Sequence, residues 1–325
     1  MLRFLKDFTL PIAMTLGVLM FFVIDALPAD TAQVHIYDAI AILQPVFIFT
    51  MLFLSFCKID PTHLKLKGWH GWHLLFQIAL FIIVAGICLL TDGLANTLWQ
   101  SLALCLIVPT AAAGVVVTNK LGGDTQGLTT YTLLVNFIVA LVIPAIAPLI
   151  VPHEGRDFLT SFWIIMGKIT PMLICPFLVA MTIRYVFPKV HQKLVSVRDL
   201  TFYIWAVSLM MAITVSCRSM VLTHATLTAV IGIAVMSLIA CILNFAFGHY
   251  VGQRYGTPIS ASQAIGQKNT AFAIWLGFTF LNPVTSVAGG FYSLWQNCWN
   301  TWQIKRKNAG ALRNLKTIFP QSLVC

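Results

Sequence analysis

The sequence predicts an all-α integral membrane protein of about ten transmembrane helices, and three observations support this fold class. Hydrophobic residues occupy 59% of the 325 positions, and charged residues occupy only 9%. A soluble domain carries about 25% charged residues. The apolar residues fall in long blocks, and a helix needs about 20 of them to cross a bilayer. The mean hydropathy of +0.88 agrees with the same class.

Ten apolar blocks define the predicted spans. Their approximate bounds are 8–26, 36–57, 69–91, 96–119, 126–151, 158–187, 199–216, 220–251, 258–281 and 284–304. The stretch from Trp69 to Leu121 can be divided differently, so the count of ten is a narrower prediction than the membrane class. The first block could instead be a cleaved signal peptide with Arg3 and Lys6 at its basic end, which leaves nine spans.

The positions of the cations predict an orientation. With a cytoplasmic N-terminus, 16 of the 20 Lys and Arg residues fall on the cytoplasmic side, whereas Arg156 and Arg218 fall outside. This asymmetry matches the positive-inside rule. We therefore expect a multi-pass protein of the bacterial inner (cytoplasmic) membrane with both termini cytoplasmic. Because the cations flank apolar blocks, the net charge of +10 implies the lipid bilayer as a partner and no nucleic acid.

The ten spans divide into two halves that are expected to insert with opposite topology, as inverted repeats do. The predicted units are 1–152, 153–304 and a basic cytoplasmic tail, 305–325. The fourth span of each half is interrupted: Pro109 precedes small residues up to Gly114, and a polar run extends from Gln267 to Thr270. Paired interruptions point to a binding site. The alternative is a proline kink in one helix and a polar packing contact in the other.

These interrupted spans carry a family resemblance. The run from Gly266 to Ala273 resembles the ninth-span pattern of the bile acid:sodium symporter family, and Pro109 to Gly123 resembles its fourth span. Gly123 and Asp124 resemble the residues that open its fifth span. The resemblance implies a panel unit of spans 1, 2, 6 and 7 and a core unit of spans 3–5 and 8–10. It also implies discontinuous crossing helices 4 and 9 and transport by alternating access.

The resemblance implies sodium sites formed by a carboxylate and a glutamine in the ninth span and by a Ser-Asn pair in the fourth. Aligned on Asn269, those positions hold Ala264 and Lys268, and Gly114 and Val115. All ten acidic residues fall at span ends or in loops. Because sodium prefers oxygen ligands and an ammonium repels it strongly at low dielectric, these residues argue against sodium coupling of the family type.

Lys268 lies in the middle of the ninth span, where a lysine costs about 2.5–3.5 kcal/mol on insertion scales and usually has a function. We expect it to replace the coupling cation with a tethered charge that holds the crossing helices together and attracts an anion. Carriage would then be uniport, exchange or proton coupling through deprotonation of Lys268. The alternative is that Lys268 reaches the lipid headgroups.

The predicted substrate-binding residues share a polar or small side chain near the two interruptions or a charge within a span. They are Lys268, Asn269, Gln267, Thr270, Thr110, Gly114, Thr129, Thr132 and Lys168. For Lys168, a place at the cavity and an interfacial place remain equally open.

The predicted function is secondary transport of a small organic anion such as a carboxylate, a sterol conjugate or a vitamin precursor, with sodium or a proton as candidate coupling ion. A sodium-coupled symporter with rearranged ligands is the first alternative. Arsenite efflux is disfavoured, because the cysteine of that family's fourth span falls on Thr110. A membrane-embedded enzyme or a channel is the alternative from another class, but the sequence shows neither a catalytic motif nor a filter-like repeat, so an enzyme is not expected. The eight cysteines contain no C-x-x-C pair, so no metal, cofactor or disulfide framework is predicted.

Overall fold

The structure is a computed structural model that describes residues 9–28, 32–151, 157–197 and 200–308. Nearly all of these residues are helical, and they form no strand. The helices are α1 (Thr9–Asp25), α2 (Ala32–Cys57), α3 (Gly68–Cys88), α4 (Gly93–Ile107), α5 (Ala113–Leu121), α6 (Thr125–Ile150), α7 (Phe158–Leu173), α8 (Cys175–Val186), α9 (Pro188–Ser196), α10 (Leu200–Leu222), α11 (Leu227–Arg254), α12 (Pro258–Gly266), α13 (Thr270–Phe280) and α14 (Ser286–Asn308).

Six helical segments in the described ranges are long and apolar enough to cross a membrane. They are Ala32–Cys57, Gly68–Cys88, Thr125–Ile150, Phe158–Val186, Tyr203–Leu222 and Leu227–Arg254. Three shorter apolar helices are Ile12–Asp25, Gly93–Ile107 and Thr270–Phe280. These segments agree with a multi-pass membrane protein, whereas the count of ten spans stays a prediction.

The helices pack around one large apolar core and two smaller clusters. The large core includes Trp69, Leu104, Phe245 and Phe272, which are all fully buried. In it, α11 packs against α4, α12 and α14, and α3 packs against α4. On another side, α10 packs against α1, α2 and α13. The interrupted helix pairs α4–α5 and α12–α13 therefore lie among other helices of the bundle.

Several of the long helices contain prolines. Pro45, Pro144, Pro148 and Pro171 lie inside α2, α6 and α7. A proline in a helix removes one backbone donor and crowds the preceding turn, so it kinks or ends the helix. A helix also ends where α7 meets α8, because Pro176 lies at the beginning of α8.

The junction between the seventh and eighth spans lies further along the chain than predicted. The sequence analysis ended the seventh span at 216, but α10 continues to Leu222, so Arg218 lies inside a helix. Its guanidinium lies 3.7 Å from the ring centroid of Tyr37, which gives the charge a partner within the bundle. Helix α11 begins at Leu227, later than the predicted start of the eighth span at 220. At this start the Thr226 hydroxyl accepts from the backbone N–H of Ala229. A capping hydroxyl is the local signal that fixes this boundary.

The loop before α6 is fixed by an ion pair. Gly122 ends α5 with φ 74°, a conformation that glycine adopts without strain. The Asp124 carboxylate then caps α6 by accepting from the N–H groups of Gln126 and Gly127, both at 3.1 Å. Its other oxygen pairs with the Lys67 ammonium just before α3. One carboxylate thus joins the beginnings of α3 and α6.

The same contacts set the pKa of Asp124. Burial opposes ionisation, but hydrogen bonds from Lys67 and from backbone N–H groups outweigh it and hold the pKa below the ordinary value of 3.8. Because the folded pKa is depressed, the stabilisation is present above pH 3.8 and is lost as the pH falls through the folded value.

We expect Asp124→Ala to lower the free energy of unfolding by about 1 kcal/mol, the usual value of an N-cap. Asp124→Asn keeps a capping oxygen and loses only the partly exposed ion pair, so its loss should be at most about 1 kcal/mol. Thermal melts in detergent from pH 7 to pH 3 measure both. The difference between wild type and Asp124→Asn should shrink below pH 3.8. A difference that does not change with pH would contradict the ion pair.

Candidate functional site

Two helices are interrupted inside the bundle. The first stops at Ile107 and resumes at Ala113, and Pro109 lies between. The second stops at Gly266 and resumes at Thr270. Each interruption leaves backbone N–H and C=O groups without helical partners. Such groups need other partners wherever water is excluded, as in the interior of a membrane.

The two interruptions satisfy each other. The N–H of Ala111 donates to the C=O of Gln267, and the N–H of Asn269 donates to the C=O of Pro109, both at 2.9 Å. Together they form a short antiparallel bridge. The two broken helices are therefore joined through their main chains, and this backbone bridge lies at the centre of the candidate site.

Lys268 projects from the backbone bridge and is 2% exposed. Its ammonium donates to the C=O of Leu106 at 2.9 Å, in the last turn of α4. The last carbonyls of a helix carry the negative end of the helix dipole and have no helical donor. An ammonium is a suitable cap for such an end. The charge of Lys268 is thus stabilised by a helix terminus.

The described carboxylates do not supply that stabilisation. Six acidic residues lie in the described ranges, and all are exposed or half-buried. They are Asp25, Asp38, Asp60, Asp92, Asp124 and Asp157. Within the same ranges, no group of three or more His, Cys, Asp or Glu residues is placed to hold a metal ion.

An amide holds the main chain of Lys268. The N–H of Lys268 donates to Gln296 Oε1 at 2.9 Å, and Gln296 Nε2 donates to the C=O of Lys268 at 3.3 Å. The Gln296 side chain therefore acts on this residue as a neighbouring strand would. Nearby, the Thr110 hydroxyl donates to the C=O of Ala264 and joins the first interruption to α12.

Side chains also cap the other helix ends at the interruptions. Gln77 Nε2 donates to the C=O of Ile107 at 2.7 Å, and the Tyr131 hydroxyl donates to Gln77 Oε1 at 3.0 Å. The Tyr292 hydroxyl donates to the C=O of Gly266 at 2.9 Å and accepts from Asn244 Nδ2 at 3.1 Å. Each α-helix that stops at the backbone bridge thus has a donor at its last carbonyls.

Three buried polar groups beside Lys268 have no hydrogen-bond partner. They are Gln267 Nε2, Asn269 Nδ2 and the Thr270 hydroxyl. All three can donate hydrogen bonds, and two of them can only donate. A buried polar group without a partner costs about 1–3 kcal/mol. The sequence neighbours of Lys268 thus carry buried donors that have no partner among the described residues.

The structure brings six of the predicted site residues together. Thr110, Gln267, Lys268, Asn269 and Thr270 are each at most 2% exposed and lie in or beside the backbone bridge. Gly114 joins them, because a Cβ at Gly114 would lie 3.3 Å from the Cβ of Gln267. A larger residue at that position would push the Gln267 side chain aside.

The other three predicted residues lie apart from this group. Thr132 is buried on α6 and donates to the C=O of Leu128 in its own helix at 2.9 Å. Thr129 is half-buried on the same helix. Lys168 is exposed, and its ammonium lies 5.6 Å from the ring centroid of Phe280. Phe280 lies ten residues beyond Thr270, or about 15 Å along α13. Lys168 therefore lies far from the backbone bridge.

Sequence reasoning missed the roles of Gln296 and Tyr292. The signal was present, because Ser293, Gln296, Asn300 and Gln303 recur at helical spacing in the tenth predicted span. The same segment also carries a helical stripe of Trp295, Trp299 and Trp302, which is typical of a packing or lipid-facing surface. Gln77, a polar residue inside the third predicted span, is placed by the structure on the last carbonyls of α4.

Comparison with known proteins does not identify a family. No protein-family model matches the chain, and no curated protein sequence is significantly similar to it.

We expect Tyr292→Phe to lower the free energy of unfolding by about 1–3 kcal/mol, because it leaves the C=O of Gly266 buried without its donor. Thermal melts of the purified protein measure the loss. Tyr185→Phe is the matched control, since Tyr185 is 68% exposed. Equal stability of the two variants would show that the hydroxyl of Tyr292 is not needed at the helix end.

Proposed function

We propose that this chain is a secondary transporter of a small organic anion, such as a carboxylate, a sterol conjugate or a vitamin precursor, and that it works by alternating access. One observation carries the proposal. A fully buried lysine lies where two broken helices meet, and its ammonium bonds to a helix C-terminal carbonyl. A charge that is costly to bury usually serves transport or binding in a membrane protein.

The donors around Lys268 favour an anion over a cation as substrate. Its ammonium has three N–H donors, and the Leu106 carbonyl accepts one of them. The unpaired groups of Gln267, Asn269 and Thr270 add further donors. A carboxylate offers two oxygens with about four acceptor positions, so it could pair with several of these groups at once.

The arrangement of helices supports a carrier. The described helices fit two halves of five segments when α7, α8 and the short α9 are counted as one segment. The fourth segment of each half is then a broken one, α4–α5 and α12–α13. Two broken helices in corresponding positions are the usual plan of inverted-repeat transporters. We propose that the chain has ten spans, with a panel unit of spans 1, 2, 6 and 7 and a core unit of the others. Both termini would lie in the cytoplasm of a bacterial cell.

The same contacts argue for carriage without sodium. The carbonyls of Leu106 and Ile107 are oxygens that a cation could use, but they accept from Lys268 and Gln77. The Lys268 ammonium would also repel a nearby cation at low dielectric. The chain would then be a divergent relative of the bile acid:sodium symporters in which a tethered charge replaces the ion.

Thermal stabilisation by a panel of organic anions, measured in sodium and in potassium buffer, tests this function. A ligand at 100 times its dissociation constant should stabilise the wild type by roughly 2.7 kcal/mol in either buffer. Lys268→Gln removes the charge and should abolish the effect, and Lys268→Arg keeps the charge and should retain part of it. Lys189→Gln, on the exposed helix α9, is the matched control and should behave as wild type.

Two results would overturn parts of the proposal. Stabilisation only in sodium would show a sodium-coupled symporter with rearranged ligands. Stabilisation that persists in a folded Lys268→Gln protein would place the anion elsewhere. Circular dichroism of each variant shows whether it is folded, so a lost response can be assigned to the charge.

A further inference from the structure

A stripe of buried polar side chains runs along one face of α14. Its members recur at helical spacing, and each is at most 6% exposed. They are Ser293, Gln296, Asn300 and Gln303. The neighbouring positions Cys298 and Thr301, on another face of α14, are exposed. In a helix that packs into an apolar bundle, the buried face is normally apolar. Here the arrangement is reversed over about three turns.

The polar stripe faces α12 and the backbone bridge. Gln263 of α12 donates its amide to Asn300 Oδ1 at 3.2 Å and to Gln303 Oε1 at 2.7 Å. Gln267 lies one turn after Gln263, just past the end of α12. Next to it, Gln296 of α14 holds the main chain of Lys268. Side-chain amides thus lie on both helices where the polar stripe contacts α12.

Several polar atoms at the contact between the polar stripe and α12 have no hydrogen-bond partner. Gln263 Oε1, Gln267 Nε2 and the Ser293 hydroxyl are buried and form no hydrogen bond. Paired amides alone would be ordinary interhelical contacts. Buried polar groups without protein partners are the groups that internal water or a polar solute usually satisfies. The polar stripe therefore has both the structural contacts and the spare capacity of a hydrated surface.

The polar stripe ends among cations. Lys307 lies one turn beyond Gln303, and its ammonium donates to the C=O of Lys120 at 2.8 Å. Lys120, Lys305 and Lys307 are exposed at this end of the bundle. From Gln296 to Lys307 the distance along α14 is about 16 Å. A charge of the same sign, Lys268, lies at the inner end. Cations at both ends and neutral amides between them favour anions over cations.

We propose that this polar stripe is a hydrated path along which small anions pass between Lys268 and the basic end of α14. The proposal rests on the proposed function, because the path is the route to the substrate site that function requires. It adds the residues that line the route and the end of the bundle at which it opens. The charge of Lys268 and the lysines at the outer end set its selectivity.

Thiol labelling tests the path without any substrate. Cys298 and Cys325 are first replaced by serine, and cysteines are then introduced singly as Asn300→Cys and Gln303→Cys. Thr301→Cys is the matched control, because it lies at the same depth on the exposed face of α14. The probes are a negatively charged sulfonatoethyl and a positively charged trimethylammonioethyl methanethiosulfonate. The protein is held in lipid vesicles, and reaction rates are corrected for the parent chain.

We expect Asn300→Cys and Gln303→Cys to react about tenfold faster with the negative probe than with the positive one, the lower end of electrostatic steering. Thr301→Cys, facing lipid, should react with neither. Adding Lys268→Gln should reduce the preference for the negative probe at Asn300→Cys. Labelling after denaturation confirms that every introduced thiol is present and reactive.

Three results would overturn the path: equal rates at Asn300→Cys and Thr301→Cys, an equal or faster reaction with the positive probe, or a charge preference that Lys268→Gln leaves unchanged. The labelling needs no organic anion, so its result is independent of the stabilisation experiment. A labelled path without anion stabilisation would leave the path and remove the proposed substrate class. Anion stabilisation without labelling would do the reverse.

Discussion

Two helices stop inside this bundle, and the groups that their ends expose must find partners where water is scarce. The main chains of the two interruptions pair with each other, which satisfies four of these groups at once. Further carbonyls at the helix ends receive side-chain donors from Lys268, Gln77, Thr110 and Tyr292. The third, fourth, ninth and tenth predicted spans and the start of the fifth all contribute to this arrangement. The need to satisfy broken backbones thus determines which polar residues the interior holds.

The same constraint explains how a lysine is buried without a carboxylate beside it. A helix end carries about half a negative charge spread over several carbonyls, so it can stabilise an ammonium without fully neutralising it. Pairing with a carboxylate would cancel the charge and leave little to attract a substrate. Capping a helix with Lys268 instead leaves part of its field directed into the site. In the proposed function, Lys268 would serve both the stability of the helix end and the binding of an anion.

The sequence predicts the membrane class, the two interruptions and the position of Lys268 inside the bundle, because each has a local cause. Long apolar blocks, Pro109 and a polar run in an apolar span are visible without knowing any contact. The partners of Lys268 are not local, since Gln296 belongs to another helix and Leu106 to the other half of the chain. The end of α10 was misjudged because Arg218 suggested a loop, whereas Tyr37 gives it a partner inside the bundle.

The tenth predicted span shows a related limit. Helix α14 is 23 residues long, but it is more polar than the six long apolar helices. The polar residues that lower its hydropathy are buried against α12, whereas a different face of α14 is exposed on the outside of the bundle. Average hydropathy cannot separate these two faces of one helix. A lysine such as Lys168 is ambiguous for the same reason, since depth in the sequence does not state which neighbour a side chain meets.

The backbone bridge also has a consequence for biosynthesis. Lys268 and Leu106 are 162 positions apart, so the first interruption is made long before its partner leaves the ribosome. Until then the Leu106 carbonyl of α4 has no lysine to donate to it, and Pro109 and Ala111 have no opposite segment with which to pair. Contacts between such distant positions form late and slowly, since a long loop must close first. The first half of the chain therefore has to persist with an incomplete centre, which is when chaperones and proteases of the membrane would meet it.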